Sequence, residues 1–145
     1  MLKFKIRRSA AVAAFILSIG SFAATGSGTA SASANGCTSA PGGVGALNCV
    51  DVSGWGIVVL SADSVYNSGY NPSNVCKPQA KFKHKKNGTS SYAYKYVSAS
   101  TCGLWRGYVT WSAPGAMADG RQFCATQKNS VISAYANYAC IGISS

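Results

Sequence analysis

Residues Lys81 to Tyr96, KFKHKKNGTSSYAYKY, hold five lysines and three tyrosines around one Asn-Gly. Lysine ammonium groups can attract anions, and lysine stems can lie across tyrosine rings. Asn87-Gly88 between two alternating segments is a strong hairpin signal, because a type I′ turn takes positive φ at both central residues. A two-residue loop there pairs Lys86 with Thr89, then sets Lys85 opposite Ser90, Lys83 opposite Tyr92, Lys81 opposite Tyr94 and Gln79 opposite Tyr96. Strand side chains alternate, so Lys81, Lys83, Lys85, Tyr92, Tyr94 and Tyr96 share one face and form the candidate binding site. The other face carries Ala80, Phe82 and His84 opposite Lys95, Ala93 and Ser91, with Phe82, Ala93 and Val97 assigned to the core.

No acid lies between Asp63 and Asp119, whereas seven basic residues do. Such a strip attracts anions over a range set by the Debye length, about 8 Å at physiological salt. The plain alternative is that the lysine stems lie across tyrosine rings on a solvated face and discourage unwanted strand pairing. Clustering favours a binding face, because six of the nine basic residues beyond residue 34 fall between Lys77 and Lys95.

Acid–base catalysis needs paired carboxylates or a histidine with a positioned partner. The acids are Asp51, Asp63 and Asp119, and His84 is the sole histidine. Four neighbouring lysines would depress the His84 pKa and leave it neutral, yet the same crowding suits a surface hairpin. No Gly-x-Ser-x-Gly, His-Glu-x-x-His or phosphate-binding loop occurs. The chain is therefore read as non-enzymatic and without a cofactor, a ribonuclease using His84 and lysines being the enzyme to test first. Trp55, Trp105 and Trp111 could line a sugar platform, but strand tryptophans usually belong to the core. Tyr66 and Tyr70, near a Gly, Asn and Pro loop, are expected to be exposed.

The positioning elements begin after a leader. Lys3, Lys5, Arg7 and Arg8 precede an apolar run from Ala10 to Ile19, and small residues follow up to Ala32-Ser33-Ala34. This is the pattern of a secretory signal peptide over residues 1–34. The run is too short to span a bilayer, which takes about 20 apolar residues. The mature domain, residues 35–145, keeps nine Lys and Arg against three Asp, a net charge of +6. All six cysteines, Cys37, Cys49, Cys76, Cys102, Cys124 and Cys140, lie in it, and an even count in an exported chain reads as three disulfides. Six cysteines allow fifteen pairings, which sequence alone does not separate. The local set is expected: Cys37 with Cys49, Cys76 with Cys102 and Cys124 with Cys140, each closing a short loop. No Cys-x-x-Cys occurs, so zinc is not expected.

Short runs rich in Val, Ile, Tyr, Trp and Thr, punctuated by Gly, Pro, Asn and Ser, predict strands and no amphipathic helix. Asn35 to Asn48 reads as an irregular arm, Trp55 to Ser61 as a buried central strand, and Asn67 to Asn74 as a loop. Leu104 to Trp111, Arg121 to Thr126, Val131 to Tyr135 and Tyr138 to Ile143 read as further strands, with Ser112 to Gly120 as a turn region. The fold expected is all-β: a small disulfide-stabilised antiparallel β-sandwich or barrel in a single domain.

These readings lead to a secreted, extracellular, monomeric cationic antibacterial protein of bacteriocin type. Its expected partner is the anionic envelope, or a cell-wall polymer, of competing bacteria. No dedicated nucleic-acid partner and no transmembrane segment in the mature chain are expected. Two other classes fit the composition: a non-catalytic cell-wall or polysaccharide-binding module, and a secreted protease inhibitor presenting Lys77 between Cys76 and Pro78.

Overall fold

In β2 (Leu47–Trp55), Val50 and Val52 are buried while Asp51 between them is half-exposed, and in β3 (Val58–Asn67), Ala62 and Ser64 are buried while Asp63 between them is half-exposed. A period of two with small or β-branched residues inward is the pattern of a strand with one buried face. The computed structural model describes residues 33–145, in which there are ten strands and no helix. The leader expected over residues 1–34 therefore lies outside the described residues, save for Ser33 and Ala34.

Two four-stranded antiparallel sheets face each other. The first has the order β1-β2-β3-β8, with β1 at Ala34–Ser39 and β8 at Arg106–Ala116. The second has the order β10-β9-β5-β6, formed by β5 (Gln79–His84), β6 (Ala93–Ser98), β9 (Arg121–Lys128) and β10 (Ala139–Ile143). A short ribbon, β4 (Asn74–Cys76) with β7 (Cys102–Leu104), completes the set. The chain is thus a small all-β sandwich in one domain, and the sheets do not close into a barrel.

Between the sheets, Val50, Val52, Val59, Ala62 and Val109 meet Ala80, Phe82, Phe123, Ala125, Ile141 and Ile143. Phe82, Trp111 and Phe123 form an aromatic layer with centroids 5.6–6.1 Å apart. A second apolar cluster of Tyr66, Val75, Ile132 and Ala136 lies beyond it, where the Tyr66 hydroxyl donates to the Pro41 carbonyl at 2.9 Å. The layers approach closely where β1 crosses β10: a Cβ on Gly36 would stand 2.5 Å from the Cys140 carbonyl oxygen, so only glycine fits there.

All three expected disulfides are present, and each joins directly paired residues: Cys37–Cys49 across β1 and β2, Cys76–Cys102 across β4 and β7, Cys124–Cys140 across β9 and β10. No cysteine is free.

Several local expectations are corrected. The arm begins as strand β1, because its backbone completes the ladder on β2. Trp55 to Ser61 is split by a turn at Gly56, and only its second half enters β3, where Leu60 is exposed. Ser112 to Ala116 prolongs β8 instead of turning. Val131 to Tyr135 is irregular, because its backbone is held by the Asn129 side chain, whose Oδ1 accepts from the N–H groups of Val131 and Ile132 at 2.9 and 3.1 Å.

Candidate functional site

The Asn87-Gly88 turn forms, but not as type I′. Gly88 has φ 78 and Asn87 is not in the positive region, which is the φ pattern of a type II turn. Beyond it the ladder runs two residues out of the expected register: Lys81 pairs with Tyr96, Lys83 with Tyr94 and His84 with Ala93. The cause is tertiary. Lys86 bridges to Met117, the Asn87 N–H donates to the Ala116 carbonyl at 3.1 Å, and the Ala118 N–H to the Lys85 carbonyl at 2.8 Å. The chain past β5 therefore leans on the segment after β8, and Ser90 to Tyr92 becomes loop.

A slip of two residues preserves strand parity, so the expected faces survive. Lys81 and Lys83 of β5 and Tyr94 and Tyr96 of β6 lie on the outer face of the second sheet, with Tyr92 just before β6. The Lys81 ammonium sits 4.5 Å from the centroid of the Tyr94 ring and 5.6 Å from that of Tyr96. The Lys83 ammonium sits 4.7 Å from that of Tyr92. These separations fall within cation–π range. Lys85 lies past the end of β5 and takes no part in a ring contact of this kind.

The face is wider than the hairpin. Lys128, paired with Gln79 across β5 and β9, rests 5.2 Å from the Tyr135 ring, which meets the Tyr96 ring edge-on at 6.5 Å. The Tyr135 hydroxyl donates to Gln79 Oε1 at 2.9 Å, which fixes this extension to β5. Phenol oxygens around Lys81, Tyr96 first and then Tyr138, raise its pKa above the ordinary lysine value, so its charge persists into alkaline solution. Burial raises the Tyr138 pKa and the Lys81 cation opposes it. Beside Lys128 the face opens into a shallow depression of about 480 Å³ edged by Lys77, Gln79, Ser98 and Ser130. Lys128, Tyr135 and Tyr138 were not legible as partners of the hairpin, because nothing in the sequence says that β9 lies against β5.

The inner face differs from expectation at two positions. Phe82 is fully buried and Val97 packs against the core, but Ala93 is exposed at the start of β6. His84 is not on a surface hairpin: it is buried, its ring 4.8 Å from Trp111 in an edge contact, and its Nδ1 has no hydrogen-bond partner. Burial, and after it the Lys86 charge, hold its pKa below the ordinary value.

The carboxylates lie elsewhere. Asp51 and Asp63 face each other across β2 and β3, on the outer side of the first sheet, where Thr110 Oγ1 donates to Asp63 Oδ1 at 2.5 Å. Asp119 accepts from the backbone N–H of Ser145 at 2.9 Å and from its hydroxyl at 3.0 Å. The structure brings neither arrangement to His84. Among the described residues no group of three or more His, Cys, Asp or Glu could hold a metal, and no helix is long and apolar enough to cross a membrane.

The aromatic expectations are corrected as well. Tyr66 is fully buried, whereas Trp55 and Trp105 are about half exposed, and only Trp111 packs against the core. Tyr70 is exposed, as read from its loop. Comparison of the chain with protein-family models, curated proteins and solved structures finds no match in any of the three.

Proposed function

We propose that this is a secreted cationic antibacterial protein of bacteriocin type, monomeric, which docks the lysine–tyrosine face of its second sheet on an anionic polymer of a competitor's cell envelope. One observation carries the reading: Lys81, Lys83 and Lys128 each rest on an exposed or half-exposed tyrosine ring of a single face. Tyrosine offers flat area for a sugar or polyol chain while the ammonium beside it meets phosphate or carboxylate. The three disulfides suit a protein that works outside the cell. In this reading the protein acts by recognition, without catalysis.

The test is growth inhibition by the purified secreted protein on a panel of bacteria, paired with co-sedimentation on isolated cell walls. Narrow-spectrum killing that tracks wall binding is expected. Wall binding without killing at any concentration would leave a non-catalytic wall-binding module, a reading that the exposed Tyr92, Tyr94 and Tyr96 also favour. Absence of both removes the proposal. The inhibitor class draws little support, because Lys77 has φ 49 and gives its N–H to the Thr101 carbonyl at 3.0 Å, which is not the extended free segment that a protease pairs with.

A further inference from the structure

One end of the sandwich carries a second surface that the lysine–tyrosine face does not use. Three segments leave the same row of the first sheet, Leu47–Asn67–Arg106: the connection 40–46, the connection 68–73 and the corner at Trp105 between β7 and β8. Their backbones are knotted together. The Tyr70 N–H donates to the Val44 carbonyl at 3.1 Å, the Ser68 N–H to the Trp105 carbonyl at 2.9 Å, and the Trp105 N–H to the Ser73 carbonyl at 2.9 Å. The side chains on this knot are nevertheless apolar and solvated: Val44 is 80% exposed, Tyr70 85%, Leu104 68% and Trp105 46%.

Trp105 has φ 70, a left-handed conformation that bulky residues rarely adopt. Such a conformation persists only where its surroundings over-determine it, and here both its N–H and its carbonyl are fixed by neighbouring loops. The outcome is an indole displayed to solvent, although an apolar cluster of Tyr66, Val75 and Ile132 lies in the same end of the fold. Held outward in this way, the ring points to a use outside the protein.

We infer that this end is a lipid-contact tip, seating Val44, Tyr70, Leu104 and Trp105 in the interfacial zone of an anionic bilayer. Trp and Tyr beside Leu and Val suit the zone where headgroups meet acyl chains. Hydrogen bonds between the three loops reduce the number of backbone groups that would leave water unsatisfied. Charge selects the lipid: exposed Arg106 follows Trp105, while Asp63 lies four residues along β3 from Asn67, about 13 Å at the usual strand rise. Asp119 is at the other end of the sandwich, bonded to Ser145. A cation without a nearby carboxylate complements an anionic headgroup layer. This inference stands apart from the wall-polymer reading, because the tip is built from loops of the first sheet and the end of the β4–β7 ribbon, whereas the lysine–tyrosine face lies on the second sheet.

The test uses the secreted protein with vesicles of phosphatidylglycerol and phosphatidylcholine, read by co-sedimentation and tryptophan emission. Wild type is expected to partition onto the anionic vesicles with a blue shift. Trp105→Gly combined with Leu104→Ser should weaken that partition about tenfold or more, since burial of two large apolar groups is lost. Glycine accepts φ 70, so this variant keeps its fold, and Tyr70→Ser provides a second, milder loss. Lys81→Ser with Lys83→Ser should leave the blue shift in place. No vesicle binding by wild type, or equal binding by the tip variant, overturns the inference, as does self-association through the tip without vesicle binding. Loss of vesicle binding in the lysine variant alone also overturns it, and assigns the lipid to the lysine–tyrosine face instead.

Discussion

The Lys83 ammonium lies 4.7 Å from the centre of the Tyr92 ring, although the residue across from Lys83 in the ladder is Tyr94. Lys81 behaves alike: it is paired with Tyr96 yet rests closer to the Tyr94 ring. Both side chains reach one diagonal step towards the hairpin loop, a reach that long side chains manage across an antiparallel pair. The rings therefore steady two cations that would otherwise swing freely. A lysine held in place forfeits less rotamer entropy when it meets an anion, a term of up to about 2 kcal/mol.

Replacing Lys81 and Lys83 together by Ser is expected to weaken binding to isolated anionic wall polymer by about tenfold or more, and to flatten its salt dependence. Stability should fall by no more than about 1 kcal/mol per site, the worth of a surface cation–π contact, since both lysines are only half-exposed. Lys85→Ser should do much less than either, because Lys85 lies off the ladder. Co-sedimentation across a salt series and a thermal melt would decide; equal losses at Lys85 and Lys81 would count against the diagonal arrangement.

How far this site could be read from sequence follows from parity and from distance. Tyr92, Tyr94 and Tyr96 were placed on the lysine face because alternation alone decides that, and a slip of two residues cannot undo it. The slip itself was not legible, since the backbone that draws Lys85 to Asn87 away belongs to Ala116, Met117 and Ala118, some thirty residues on. The burial of His84 is hidden in the sequence for a related reason. Its neighbours in sequence are lysines, but its neighbours in space are Trp111 and Phe123. The expected local disulfides form because each cysteine also faces its partner across a strand pair, a juxtaposition that the short loop lengths suggest but that the sequence, with fifteen pairings open, does not display.

Stability should fall as the solution is acidified through the histidine range. The folded pKa of His84 is depressed, so the unfolded chain takes up a proton near its ordinary pKa of about 6.5 while the native ring does not. The contribution is complete above that pH and is lost progressively below it, until the native ring also protonates. The slope approaches but cannot exceed about 1.4 kcal/mol per pH unit for one group. Denaturant midpoints of wild type and His84→Leu between neutral and mildly acidic pH would measure it, and the variant should lack this slope.

Asp51 and Asp63 set two like charges directly across a strand pair, with Thr110 bonded only to the second. Facing like charges destabilise a sheet by a few tenths to about 1 kcal/mol. Asp51→Asn is therefore expected to raise stability by about that amount, most visibly at low salt. A decrease on chemical denaturation would mean that the pair is held together by something other than its neighbours in the sheet.

Removing any one disulfide by a double Cys→Ala change should cost about 3 kcal/mol by the chain-entropy argument. Cys76–Cys102, with a sequence separation of 26 against 12 and 16 for the others, should cost slightly more. Equilibrium unfolding of the three variants tests the ranking, and a loss at Cys37–Cys49 larger than at Cys76–Cys102 would contradict it.

Every one of these covalent links runs between neighbouring strands, and none passes from one four-stranded layer to the other. Cohesion between the layers rests on side-chain packing around Phe82, Trp111 and Phe123, and on buried hydrogen bonds that Asn48 donates to the Ala125 carbonyl and Gln127 to the Ser64 and Gly107 carbonyls. Under mechanical load or heat, the seam between the layers is expected to give before the covalently linked pairs β1–β2, β4–β7 and β9–β10 do. Opening then leaves β1 matched with β2, β4 with β7 and β9 with β10, so closing searches among fewer pairings than a chain without these links would. In a molecule linked in this way, durability lies less in refusing to open than in closing again correctly.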